Sequence, residues 1–259
     1  MTIHTQDRAA LARAALKRTR LFSDWPDAVL DALSAASEVQ RYHKGQSVAR
    51  QGDPPRGLWL LTEGCLVSSR TFPDGRRIVF EHLLPGQMTA VLPVLDGQSV
   101  LFDLTAKHRA AAIFIPRAAF LGVIRGDPAL LMSIIVFLCR RTRLDHENIQ
   151  MKVLDSPRVQ LAKIIIYLAR GPGLPRPDYE LPVGISQDDV ADMMGMSRQT
   201  VNKEMMPFVR DGILAQRYRK IYILDPQRLF EIIQAESPVP PEIFDAIFGK
   251  PKGMFRAAD

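Results

Sequence analysis

Residues 185–214 read ISQDDVADMMGMSRQTVNKEMMPFVRDGIL, and this stretch decides what kind of chain it is. Ser186 is suited to cap a helix, and Asp189 three residues on approximates the acidic member of a capping box. Val190, Met193 and Met194 follow on one face at helical spacing. Gly195 stops that helix where a left-handed residue is needed. Ser197 caps a second helix whose first turn holds Arg198, Gln199 and Thr200. Val201 and Met205 turn inward there, Asn202 and Lys203 outward. Two short helices joined this way form a helix-turn-helix, whose second helix presents its N-terminal side chains to the major groove of DNA. An ordinary αα-hairpin inside a helical domain is the alternative, and the rest of the chain weighs against it.

Downstream, Gly212 reads as a C-cap. Ile213–Gln216 and Ile221–Leu224 read as a small hairpin around Arg217, Tyr218, Arg219 and Lys220, a wing with a basic tip. Pro226 ends it; Gln227–Ala235 reads as a helix, ESPVPPE as a stiff linker, and Ile243–Phe248 as a short apolar helix before a basic tail. Upstream, GPGLPRPD (171–178) cannot be regular structure. Ser156 with Pro157 starts a helix that runs to Arg170, with Leu161, Ile164, Ile165 and Leu168 inward. Pro207 falls inside the second helix of the motif, where it deletes one backbone hydrogen bond and is expected to bend the helix near the 203 carbonyl.

Between Ala129 and Leu154 the pattern is one long helix. Leu130, Phe137, Leu144 and Met151 recur by sevens, with Ile134, Arg141 and Asn148 at the other seam position. A heptad repeat of this length predicts a dimer seam, with Arg141 and Asn148 setting register. Packing of this helix on its own domain is the alternative. Before it, from about Val39, glycines stand at 45, 52, 64, 75, 86 and 97 among short β-type runs: Leu58–Leu61, Cys65–Arg70, Arg77–Phe80, Val100–Leu104 and Ala111–Ile115. Regular turn signals at this spacing predict an antiparallel sandwich or barrel. A short helix, Arg117–Ile124, follows. Residues 6–20 read as a helix, and Ser23 or Asp24 is expected to cap another carrying Val29, Leu30 and Leu33.

Thirty-four Lys and Arg against 28 Asp and Glu give a net charge of +6, and 47% of residues are hydrophobic. The balance favours a polyanionic partner, nucleic acid before membrane. From Ser197 to Lys220 six residues are basic and two acidic, a local excess of four. Two distant cysteines, Cys65 and Cys139, make neither a disulfide framework nor a Cys-x-x-Cys motif, and five histidines lack metal-ligand spacing. No metal and no cofactor is therefore expected. The N-terminus has no signal-peptide core and no run of eighteen apolar residues occurs, so a cytoplasmic protein without membrane attachment is expected. No nucleophile elbow, phosphate loop or paired-carboxylate constellation suggests an enzyme.

The order of these parts resembles the cyclic-AMP receptor/fumarate-nitrate-reductase regulator (CRP/FNR) family of bacterial transcription factors. LWLLTEGCLV (58–67), the spaced glycines, SRQTVNKEM (197–205) and RDGIL (210–214) carry the resemblance, which covers roughly residues 21–230. It implies an α+β chain: an N-terminal helical extension (1–20), a double-stranded, jelly-roll-like β-roll sensor (21–128), a dimerisation helix (129–155), a winged helix-turn-helix (156–236) and a tail (237–259). It implies a homodimer on a palindromic operator in double-stranded DNA. Arg198, Gln199 and Lys203 would read bases; Ser197, Thr200, Asn202, Arg217, Arg219 and Lys220 would hold phosphates. The best-known members have Glu where this chain has Gln199, and glutamine prefers adenine to the cytosine a glutamate accepts from. RNA polymerase is a candidate partner through Leu174–Tyr179.

The family's cyclic-nucleotide pocket needs a Gly-Glu pair and an Arg-Ser pair. Those positions fall here at Ala90-Val91 and about Val100-Leu101, and neither Glu nor Arg lies between Gly86 and Thr105. A cyclic phosphate would be buried without a cation, so cyclic AMP is not expected there. Two readings stay open. The pocket holds an apolar or aromatic metabolite, lined by Val91, Leu92, Val94, Val100, Leu101 and Phe102 with Arg141, Leu144 and Asp145 from the long helix; or side chains fill it and no effector is needed. A nucleotide-binding regulatory module without operator specificity, and a haem or redox sensor using one of His43, His82, His108 and His146, are the alternatives.

Overall fold

The computed structural model describes residues 5–170, 186–217 and 220–237. The expected loop at 171–178, Tyr218 and Arg219 of the wing tip, and the expected helix Ile243–Phe248 lie outside the described residues. The chain divides into two compact units, Met1–Phe137 and Leu138–Asp259.

The first unit opens with α1 (Thr5–Arg18) and α2 (Asp27–Ala36). Neither Ser23 nor Asp24 caps α2. Pro26 occupies the N-cap with no side-chain cap bond, and the Ser23 hydroxyl donates instead to the Arg20 carbonyl. The fixed φ of Pro26 leads the chain into the helix, and Asp27 supplies the acidic first turn. Then follow β1 (Glu38–Tyr42), β2 (Ser47–Ala49), β3 (Gly57–Glu63), β4 (Leu66–Thr71), β5 (Arg77–Leu83), β6 (Met88–Thr89), a short helix α3 (Val91–Asp96), β7 (Asp103–Ala106), β8 (Ala110–Pro116) and α4 (Arg117–Ile124). The strands form two four-stranded sheets in the orders β1-β8-β3-β6 and β2-β7-β4-β5, every pairing antiparallel. This is the expected β-roll.

Strand alternation gives the roll its core. Trp59 and Leu61 of β3, Ala112 and Phe114 of β8 and Tyr42 of β1 meet Leu66, Leu83, Leu104 and Ala106 of the other sheet. All six spaced glycines have positive φ. Gly64, at φ +81, is the most constrained: a Cβ there would lie 2.3 Å from the Arg109 carbonyl oxygen and 2.9 Å from the Ala110 Cα. Backbone cannot yield as a flexible side chain can. Gly64→Ala is expected to destabilise this unit by about 2–4 kcal/mol, combining left-handed strain with overpacking. Denaturant titration of the variant checks it; a loss under about 1 kcal/mol would contradict the geometry. Cys65, beside it, is buried, and that burial pushes its thiol up to about 11 against the opposing pull of the Lys107 ammonium.

A second core of the unit is aromatic. Phe22 meets Trp25 edge-on at 4.9 Å and Trp25 stacks on Phe120 at 6.2 Å. The Trp25 indole N–H donates to the Ser133 hydroxyl, 2.9 Å away on α5 (Pro128–Leu154). Leu130 and Ile134 on the same helix are 4% and 3% exposed. Leu130 and Ile134, the first two positions of the expected dimer seam, are thus packed within their own unit.

The second unit contains α6 (Pro157–Arg170), α7 (Gln187–Met194), α8 (Arg198–Arg210), the pair β9 (Leu214–Arg217) and β10 (Lys220–Ile223), and α9 (Pro226–Glu236). α6 packs against α7, α8 and α9. Leu161, Ile165, Val190, Met194, Val201, Phe208, Leu229 and Ile233 are buried there. The Arg158 guanidinium lies 5.4 Å over the Phe208 ring. No single described helix is long and apolar enough to cross a membrane.

Candidate nucleic-acid interface

The capping chemistry read from the sequence forms as written. The Ser186 side chain accepts from the Asp189 N–H, and the Asp189 carboxylate accepts from the Ser186 N–H at 2.7 Å, completing the box. Gly195 ends α7 at φ +66 in the left-handed region. Ser197 caps α8 by accepting from the Thr200 N–H at 3.1 Å, and the two hydroxyls lie 2.9 Å apart. These local bonds fix the turn. Val201, Met205 and Phe208 then anchor α8 in the core, and the helix runs through Pro207 to Arg210.

With that face buried, Arg198, Gln199, Asn202, Lys203 and Met206 form one exposed face, at the i, i+1, i+4, i+5, i+8 spacing of a helix. Ser197 is exposed and Thr200 half-buried. Arg198 leans on Asp188 of α7, with Nε 3.7 Å from the carboxylate. Both side chains are about two-thirds exposed, so this pair holds Arg198 weakly and releases it at little cost. β9 and β10 pair with Lys220 opposite Arg217, while Arg219 lies outside the described residues. Asp188 and Met206 escaped the sequence reading. The signal for both was present in their helical phase: Met206 lies one turn past Asn202 and Lys203, and Asp188 is a first-turn acid facing the next helix.

A capped two-helix motif with a free basic face and a hairpin behind it is matched by known proteins. Residues 159–232 match the Crp-like helix-turn-helix domain, and residues 39–127 the cyclic nucleotide-binding domain. The chain belongs to the CRP/FNR family of transcription factors. It is 24% identical to a CRP-like cAMP-activated global transcriptional regulator of Mycobacterium tuberculosis over 83% of this chain and 96% of that protein. It is 26% identical to the transcriptional regulator LdrP of Thermus thermophilus over 72% and 92% respectively. FixK2 of Bradyrhizobium japonicum shares the fold at a TM-score of 0.67, with 18% identity over 75% of this chain and 96% of that one. As a CRP/FNR protein the chain is a DNA-binding transcription regulator.

On the sensor side of this CRP/FNR chain, the residues expected to line a pocket differ in their burial. Val91 and Val94 are buried on the inner side of α3. Val100 belongs to the roll's core cluster, with Ala90 packed against it. Leu92 and Leu101 are half-exposed, and Phe102 pairs with Phe80 at 4.3 Å. Of the six roll residues, Val91, Val94 and Val100 are thus buried, and Leu92 and Leu101 face outward. Val100–Phe102, expected as the start of a strand, precede β7. Val100 instead exchanges backbone hydrogen bonds of 2.9 Å with the loop at Gly52 and Asp53, which carries its side chain into the core. On α5, Arg141 and Leu144 are half-buried and Asp145 is exposed.

Ala90 is the single non-glycine residue with positive φ, +68, among the described residues. The contact of its methyl with the core offsets a left-handed cost of about 1–2 kcal/mol.

The junction of α5 and α6 carries a cluster the sequence did not announce. Lys163 Nζ donates to the Asp155 carboxylate at 2.6 Å and to the Ser237 hydroxyl at 2.9 Å. Only 9% and 5% of the Lys163 and Asp155 side chains are exposed. Ser156 donates to the Glu236 carboxylate at 2.9 Å, and the Gln160 amide to the Asp155 carbonyl at 3.0 Å. The ends of α5 and α9 are thereby tied to α6 within this unit.

Proposed function

We propose that the chain acts as a homodimer on a palindromic operator, reading bases through Arg198, Gln199 and Lys203, and that cyclic AMP is not its effector. The single observation that carries the reading is the exposed face of α8, where these three side chains stand together on a helix fixed by its caps. Arginine pairs with the O6 and N7 edge of guanine, and glutamine with the N6 and N7 edge of adenine. Ser197, Thr200 and Asn202 would hold phosphates, together with Arg217, Arg219 and Lys220. Two such heads must enter successive major grooves about 34 Å apart, which demands the two-fold. RNA polymerase remains the second partner, through a segment (174–179) outside the described residues. A cytoplasmic location follows from the work.

Cyclic AMP activation is a property named for the mycobacterial relative. Against it here stand Val91 and Val100, which are apolar and buried and fall about where the family resemblance puts the ribose and phosphate ligands. The same packing favours a roll filled by its own side chains over one holding an apolar metabolite.

One experiment tests both halves. Purified protein is titrated against palindromic and scrambled duplexes at several salt concentrations, with and without cyclic AMP, alongside calorimetry with cyclic AMP alone. Operator preference without any additive and no heat of nucleotide binding are expected. Equal affinity for both duplexes would remove the regulator reading, and micromolar cyclic AMP binding would restore the nucleotide as effector.

A further inference from the structure

We propose that Met206 is a fourth base-reading residue, whose side chain packs on the 5-methyl group of a thymine in each half-site of the operator. The proposal rests on the reading of α8 given above. It adds a base that Arg198, Gln199 and Lys203 do not recognise.

Six side chains of α8 are exposed: Arg198, Gln199, Asn202, Lys203, Met206 and Arg210. Five of them are polar or charged. Met206, at 51% exposure, is the exception. The core does not account for it, because its neighbour Met205, 1% exposed, already fills the inward face with Val201 and Phe208. A lone exposed apolar side chain means little on an ordinary surface. Met206 does not stand on an ordinary surface. At 3.6 residues per turn the six exposed side chains span roughly 140° of the helix, and Met206 falls near the middle of that span. Lys203 lies three residues before it and Arg210 four residues after it, so exposed cations flank it along the axis. α8 continues past Pro207 to Arg210, which holds Met206 in helical phase with the base-reading residues. A helix that sets Arg198 and Lys203 into a groove therefore sets Met206 into it as well.

The chemistry of the groove selects what Met206 can meet. Its thioether has no hydrogen-bond donor and is only a weak acceptor, so it cannot hold a phosphate. The base edges of the major groove are hydrogen-bonding groups with one apolar exception, the thymine methyl. Pressing a methionine on a cytosine amino group or a guanine carbonyl would leave that group unpaired. Against a methyl, both partners lose only unfavourable contact with water. The unbranched, polarizable side chain adapts to such a contact. Met206 is about 12 Å along the helix axis from Arg198, so its thymine is separate from the guanine that Arg198 reads.

The test uses the full chain and an operator duplex that it selects from random DNA. Each thymine of the half-sites is replaced in turn by uracil, which pairs identically and lacks only the methyl. Wild-type affinity is expected to fall at one position, roughly fourfold with uracil in one half-site and roughly fifteenfold with uracil in both. Met206→Ala, tolerated because the side chain is exposed, should bind the thymine and uracil forms of that position equally. Met206→Leu, which keeps an apolar side chain of similar size, should still discriminate between them. A protein that prefers its operator to scrambled DNA yet is indifferent to uracil at every thymine would overturn the role of Met206 and leave the reading of α8 intact. A uracil penalty that persists unchanged in Met206→Ala, or a selected operator without thymine in its half-sites, would do the same. Equal affinity for operator and scrambled duplexes would overturn both.

Discussion

Exchanging Lys163 for methionine is expected to cost the C-terminal unit about 3–5 kcal/mol, because it strands the buried Asp155 carboxylate without its cation. The ammonium lies 2.6 Å from that carboxylate and 2.9 Å from Ser237, and neither charged side chain reaches water to any extent. Methionine keeps the volume, so the loss reports charge rather than packing. The companion variant separates the two: with Asp155→Leu added, no buried charge is left unpaired, and stability should return to within about 1–2 kcal/mol of wild type. Since the chain has two units, the change should be read as loss of amide-exchange protection confined to α6 and α9 rather than as a single melting temperature. A single variant as stable as wild type, or a double variant no better than the single, would show that the pair does not hold this junction.

Arg198→Ala is the second large effect. One bidentate arginine–guanine contact is worth about 1–3 kcal/mol. A two-fold dimer loses it twice, about 2–6 kcal/mol, so operator affinity should fall by roughly 30-fold to 25,000-fold. Specificity should relax at one position of each half-site, while the salt dependence changes little beyond the charge removed. Lysine will not restore the contact, since it lacks the planar fork. Removing Asp188, which holds the same guanidinium across 3.7 Å at the surface, should alter affinity by less than about 1 kcal/mol. Gln199→Glu in binding-site selection should move the neighbouring preference from adenine toward the partner of a carboxylate, a cytosine amino group. Unchanged selection would exclude Gln199 from base reading.

The helix-turn-helix was legible in the sequence because every decision in it is local. Ser186 and Asp189 bond to each other three residues apart, Gly195 turns the chain by its own conformational freedom, and Ser197 caps its own helix. The roll was legible for a similar reason, its corners being marked by glycines that all adopt positive φ. What was not legible depends on neighbours far along the chain. The heptad of α5 could be a dimer seam or a face packed on its own domain by spacing alone; the bond from Trp25, more than a hundred residues earlier, to Ser133 is invisible in that spacing. The hydrophobic run at 91–102 reads equally well as pocket lining or as core, and the membership of Val100 in the roll's core cluster depends on strands far along the chain. Lys163 looks like a surface charge until Asp155 and Ser237 close on it.

Ala90 has a meaning beyond its own strain. A left-handed residue at the head of α3 turns the chain into that helix at a cost of about 1–2 kcal/mol that a glycine would escape. For protein engineering this marks position 90 as one where a substitution changes the turn and the core contact together.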